Sequence, residues 1–120
     1  MKKCSCKGYF LEKFIQPFIL MQLYQEKLHG FALYLKLLKS DIMDYSGLDP
    51  GGLYRTLKKM EEAGLLLSEW QLDESSAQPR RVYTITAEGK QCLEFWQETL
   101  MEYKGDVERL AQAVAHCLNR

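Results

Sequence analysis

Apolar positions recur along this chain with periods that change sharply from segment to segment. Phe10, Leu11, Phe14, Ile15, Phe18 and Ile19 follow the 3–4 spacing of a helix running to about Glu26. Pro17 lies inside that pattern, so either the helix kinks there or a second helix starts with Pro17 in its first turn. Leu28-His29-Gly30 reads as a turn, and Phe31–Lys39 as a second helix with Leu33, Leu37 and Leu38 on its buried side. The polar run Ser40–Leu48 reads as a loop. The next helix is marked at both ends: Asp49 to cap it, Pro50 at its first position and Gly64 to stop it. Within it Leu53, Leu57 and Met60 form one apolar stripe.

After Gly64 the period shortens. Leu65–Leu72 and Arg80–Thr86 read as strands joined by the polar loop Asp73–Pro79, a β-hairpin. Thr86 suits the cap of a last helix. There Leu93, Trp96, Leu100, Tyr103, Val107, Leu110, Val114 and Cys117 alternate spacings of three and four, a heptad seam. A helix of about 30 residues is roughly 45 Å long, more than so small a domain covers. The seam therefore predicts a partner helix, most simply its own copy in a two-fold dimer. Gly105, between Lys104 and Asp106, marks an expected weak point or bend.

Together these elements predict a mainly α chain with a small β-hairpin. The expected architecture is a winged helix-turn-helix followed by a long C-terminal dimerisation helix. Residues 1–8 read as a flexible tail, 9–86 as the winged DNA-binding domain and 87–120 as the dimerisation helix. Length (120 residues), 47% hydrophobic and 27% charged content fit one globular domain. No membrane span or export signal is legible, so the expectation is a cytoplasmic protein.

Net charge is zero, but its distribution is uneven. Residues 1–60 hold ten Lys/Arg against five Asp/Glu, while residues 61–79 hold five acids and no base. The positive charge gathers around the capped helix, whose outer face carries Arg55, Lys58, Lys59 and Glu62 behind a small tip with Gly51 and Gly52. Small at the tip, basic on the flank and anchored behind is what entry into a DNA major groove requires. An ordinary solvated helix face shares the pattern. Arg80 and Arg81 stand at the base of the hairpin, able to reach a phosphate backbone or to pair with Asp73 or Glu74.

Four cysteines without an export signal point to thiols or metal ligands rather than disulfides. Cys4 and Cys6 could swing toward Cys92 or Cys117 of a partner's long helix, where a metal or oxidant would lock the dimer and change half-site spacing. The alternative is that Cys92 and Cys117 are small packing residues and the tail is free. No cofactor is required by anything in the sequence. His29 is placed to cap or pack, and His116 to lie on the surface.

The segments FILMQLYQEK (18–27), LHGFAL (28–33), LYRTLKKMEEAGLL (53–66) and RRVYTITAEGK (80–90), with the terminal heptad helix, resemble the PadR family of winged-helix transcriptional regulators. The order and spacing cover about residues 15–118, and the size is similar to that of the family's shorter subgroup with one C-terminal helix. The start, Lys2–Gly8 with its Cys-Ser-Cys, departs from the family pattern. The resemblance implies a homodimer that binds a near-palindromic operator on double-stranded DNA, usually as a repressor, with Leu93–Leu118 as the dimerisation element. It places Gly51, Tyr54, Arg55 and Lys58 on the helix facing the major groove and Arg80 and Arg81 on the wing. Tyr54 is expected to pack under the helix tip, Arg55 to meet a base or phosphate, and Lys58 and Lys59 to suit phosphates. Phe95, Trp96 and Tyr103 could line an effector cavity at the dimer axis, as in relatives that bind flat aromatics, or simply pack. The effector, small molecule or metal, is not specified.

An enzyme is disfavoured by inventory, since no nucleophile–base set or phosphate-cradling loop is present. A winged-helix adaptor that binds protein instead of DNA is the competing class, supported by the zero net charge and the acidic run Glu61–Glu74. A thiol- or metal-responsive regulator is a further alternative. The adaptor and DNA readings separate on whether Arg55, Lys58 and Lys59 are free or tied up by Glu61, Glu62 or Glu69.

Overall fold

The computed structural model describes residues 14–72 and 78–119. The described chain forms, in order, α1 (Ile15–Gln25), β1 (Leu28–His29), α2 (Gly30–Lys39), α3 (Pro50–Glu62), β2 (Leu66–Gln71), β3 (Arg80–Ile85) and α4 (Ala87–Leu118). The strands make one antiparallel sheet in the order β1-β3-β2. The shape is elongated, 65 × 36 × 23 Å.

α1 is the core helix. It buries Ile15, Phe18, Ile19, Leu20 and Leu23 on more than one side, because α2, α4 and the sheet all pack on it. Pro17 is its third residue, inside the first turn, where a missing N–H breaks no helical bond. The pattern's Phe10 and Leu11 lie outside the described residues.

The expected turn at Leu28-His29-Gly30 is instead a strand: Leu28 and His29 pair with Tyr83 and Val82. Two residues carry no readable alternation, and the free edge of β3 makes them extended. His29 then serves as the α2 cap, its Nδ1 accepting from the Ala32 N–H at 3.3 Å. α2 buries Leu33 and Leu37 completely, but Leu38 turns outward, contrary to the sequence reading. In the following loop Tyr45 is buried; its hydroxyl donates to the Phe14 carbonyl at 2.9 Å and its ring meets Phe18 edge-on.

α3 follows its sequence signals closely. Asp49 Oδ1 accepts from the Gly52 N–H at 2.6 Å, and Leu53, Leu57 and Met60 are sealed in the core. At the far end Gly64 adopts φ +81°, while Leu65 N–H bonds Met60 O and Gly64 N–H bonds Glu61 O. That 6→1 and 5→2 pair is a Schellman stop, which needs a left-handed residue at the Gly64 position.

Thr86 joins this stop to α4. Its Oγ1 donates to Gly64 O at 2.6 Å and accepts from the Gly89 N–H at 3.0 Å, and its own N–H bonds Leu65 O. Gly89 is buried so tightly on the Leu65 carbonyl that a Cβ there would overlap it. α4 then runs 32 residues as one continuous helix through Gly105, where the sequence suggests a weak point or bend. Good helix formers nearby, Met101, Glu102 and Lys104 before it and Glu108, Arg109 and Leu110 after it, outweigh a single glycine.

Candidate nucleic-acid interface

α3 presents its outer face to solvent because its inner face is fully spent on the core. Gly51, Arg55, Lys58 and Glu62 fall at i, i+4, i+7 and i+11, one stripe opposite Leu53, Leu57 and Met60. Arg55 lies back beside Gly51, with its Nη2 3.9 Å from Asp49 Oδ1. Both side chains of that pair are 72% exposed, so the contact is a weak surface attraction that leaves the guanidinium available. Lys58 and Lys59 are exposed, and among the described residues neither meets a carboxylate within 4.0 Å. The three cations are therefore not neutralised by the acidic segment that follows them.

Tyr54 does not sit under the helix tip. Its half-exposed ring lies over Gly30, where a Cβ would meet Tyr54 Cε1 at 2.5 Å, and so seats α3 on the first turn of α2. The misplacement arose because only the α2–α3 crossing, not the α3 sequence, decides which neighbour the ring finds.

The two wing arginines go separate ways. Strand alternation and register put Arg80 on the outer face with His29, whose Nε2 is 3.3 Å from Arg80 Nη1. Arg81 faces inward to α3. Its Nε donates to Ser68 Oγ at 2.8 Å and its Nη2 to Glu61 Oε2 at 3.3 Å. Ser68 in turn donates to Glu61 Oε1, and the guanidinium carbon sits 5.6 Å from the Trp70 ring centroid. The competing pairing with Asp73 or Glu74 lies outside the described residues. Between α3, the first turn of α2 and the hairpin runs an open cleft of about 830 Å³ lined by Tyr54, Lys58, Glu61, Trp70, Arg80 and Arg81.

Ser68 and Trp70 were not singled out from the sequence, and Glu61 was weighed as a partner for the α3 cations rather than for Arg81. The available signal was that Ser68 and Trp70 share the strand face of Leu66, toward α3.

At the other end, the first turns of α4 pack on the head and the rest project. Trp96 Nε1 donates to Gln16 Oε1 at 2.7 Å, and Phe14 meets Trp96 and Tyr103 edge-on at 6.4 and 6.2 Å. Leu93 is half-buried against the core. Beyond it Leu100, Tyr103, Val107, Leu110 and Val114 stay exposed along one stripe. Phe95 points away from the Phe14–Trp96–Tyr103 cluster and is exposed, so one chain does not assemble the three aromatics into a pocket.

Cys4 and Cys6 lie outside the described residues. Cys92 and Cys117 are about 37 Å apart along one helix, too far to share an ion within a chain. Among the described residues no group of three or more His, Cys, Asp or Glu side chains is placed to hold a metal. Burial raises the Cys92 thiol pKa, only partly opposed by the neighbouring Trp96 indole, and so disfavours the reactive thiolate. His116 is exposed on α4.

The family model described as the transcriptional regulator PadR-like family matches residues 19–95. Among solved structures, a Thermoplasma acidophilum protein is 28% identical, with a TM-score of 0.72 over 85% of this chain and 94% of its own. A PadR family transcription regulator from hypervirulent Clostridium difficile R20291 is 25% identical, with a TM-score of 0.68 over 81% and 97%. A PadR family transcriptional regulator from Eggerthella lenta DSM 2243 is 25% identical, with a TM-score of 0.69 over 88% and 89%. No curated protein matches the chain.

Proposed function

The chain belongs to the PadR-like family of transcriptional regulators, and from that premise we propose that it is a homodimeric, operator-specific repressor released by an effector. The DNA-binding unit in this reading is residues 9–86, and residues 87–120 dimerise. The observation that carries it is the free cationic face of α3. Arg55, Lys58 and Lys59 point outward and no acidic side chain in the described residues neutralises Lys58 or Lys59.

Gly51 lets the tip of α3 approach base edges, Arg55 contacts a base or phosphate, and Lys58 and Lys59 hold phosphates. Arg80, on the outer face of the wing, reaches the adjoining backbone. Tyr54 supports the helix from the side. The seam from Leu93 through Trp96, Leu100, Tyr103, Val107, Leu110 and Val114 pairs with its copy. An effector of flat aromatic shape enters where Trp96 and Tyr103 of the two protomers approach. The adaptor reading requires these cations to be held by Glu61, Glu62 or Glu69. Glu61 is committed to Arg81 instead.

Fluorescence anisotropy against DNA from upstream of the protein's own gene, at two salt concentrations and beside a scrambled duplex, tests this. Preferential, salt-dependent binding is expected. Arg55→Ala should weaken it by about 1–3 kcal/mol. Unchanged affinity removes Arg55 from the interface. A dimeric protein with no preference for any native fragment would favour the adaptor.

A further inference from the structure

We infer that Arg81 is a positioning residue: it latches the wing to the last turn of α3 through Glu61 and Ser68, and does not contact a DNA phosphate. The inference rests on the DNA-binding reading above.

Three side chains close a ring. Arg81 donates through Nε to Ser68 and through Nη2 to Glu61, while the Ser68 hydroxyl donates a hydrogen bond to the other Glu61 oxygen. Both carboxylate oxygens and the serine proton are thereby used. The Glu61 side chain is only 27% exposed and that of Arg81 46%, so the pair is partly withdrawn from water. A planar guanidinium supplies two donors at a fixed angle, which an ammonium cannot do. Trp70 backs the guanidinium from the strand paired with it.

The placement gives the ring its purpose. β1 covers β3 only at Val82 and Tyr83. From Arg81 outward the wing is a two-stranded ribbon, and such ribbons are marginally stable alone. Arg81 and Trp70 face each other in the first register beyond that cover. Glu61 lies in the last turn of α3, so the ring sets the wing's angle to the helix. It also withholds Glu61 from Lys58, three residues earlier on the same helix.

The latch and a phosphate contact predict opposite signs. Removing Glu61 deletes a negative charge beside DNA, so simple electrostatics tightens binding. A latch instead predicts weaker binding, because a loosened wing must be ordered on association. With the full-length dimer and the operator fragment, we expect Arg81→Lys and Arg81→Ala to lose affinity equally, about tenfold. Glu61→Ala should lose as much, the double variant should be no worse, and the salt slope should hold. Hydrogen exchange of the DNA-free protein should show faster exchange in β2 and β3 in every one of these variants, with α1 unchanged. Full rescue by Arg81→Lys, a slope lower by about one in Arg81→Ala and tighter binding by Glu61→Ala would overturn the latch. If the parent protein binds no DNA, the functional reading fails while exchange still decides: unaltered wing exchange in Arg81→Lys and Glu61→Ala overturns the latch by itself.

Discussion

Leu53 and Leu57 in the head, and Val107 and Leu110 on distal α4, are apolar side chains at helical spacing. The first two are fully buried. The second two are 62% and 66% exposed. The head closes its apolar faces on one another, with α1 packed between α2, α4 and the sheet. Distal α4 has no such neighbour among the described residues. Periodicity thus states that a face must be covered but is silent on what covers it. Full burial of a Leu or Val contributes about 1.5–3 kcal/mol, so covering Val107, Leu110 and Val114, each more than half exposed, would give a favourable term to set against the cost of association.

That contrast can be broken from either side. The largest effect is expected from Leu110→Glu, which would place a carboxylate in the exposed apolar stripe that the proposed dimer buries. Self-association should weaken roughly a thousandfold, about 4 kcal/mol, by sedimentation equilibrium, while circular dichroism of the head persists. An unaltered dimer would show that α4 does not pair through this stripe. Leu57→Ala attacks the other side. It should lower head stability by about 3 kcal/mol in urea unfolding, because its cavity lies where all neighbours are fixed.

Gly89→Ala tests the junction between the two regions. The added methyl meets the Leu65 carbonyl, so about 2 kcal/mol of stability should be lost. A neutral result would mean that the start of α4 can shift freely on the head. The smallest effect is kinetic: Cys92, whose thiol is pushed above its ordinary range by burial, should label slowly at neutral pH and faster as pH rises. Thiol-specific labelling followed by peptide mass spectrometry reads this directly, and rapid labelling at neutral pH would argue against the burial of Cys92, whose Sγ donates to Gln16 Oε1 at 3.7 Å.

How much was legible in the chain follows the range of the interactions. α3 was readable to the residue because its cap, its proline, its stripe and its glycine stop are all local. The α4 cap at Thr86 was readable for the same reason. β1 was not, since Leu28 and His29 are extended only by virtue of β3, more than fifty positions later. Arg81 could be seen as a wing cation but not as the partner of Glu61, because strand register and the α3–sheet contact jointly decide which way it faces. Tyr45 and Gln16 were silent for a related reason: each satisfies a polar group on an element remote in sequence.

Thr86 carries one more consequence. Its three hydrogen bonds bolt the end of α3 to the beginning of α4, so in the proposed dimer the helix offered to DNA and the helix offered to the partner copy would move as one crank. In a dimer joined through α4, the two reading helices cannot change their separation unless the pairing helices swivel against each other. Any molecule wedged between the pairing helices is then geared to the spacing of the DNA half-sites, with no intermediate moving part.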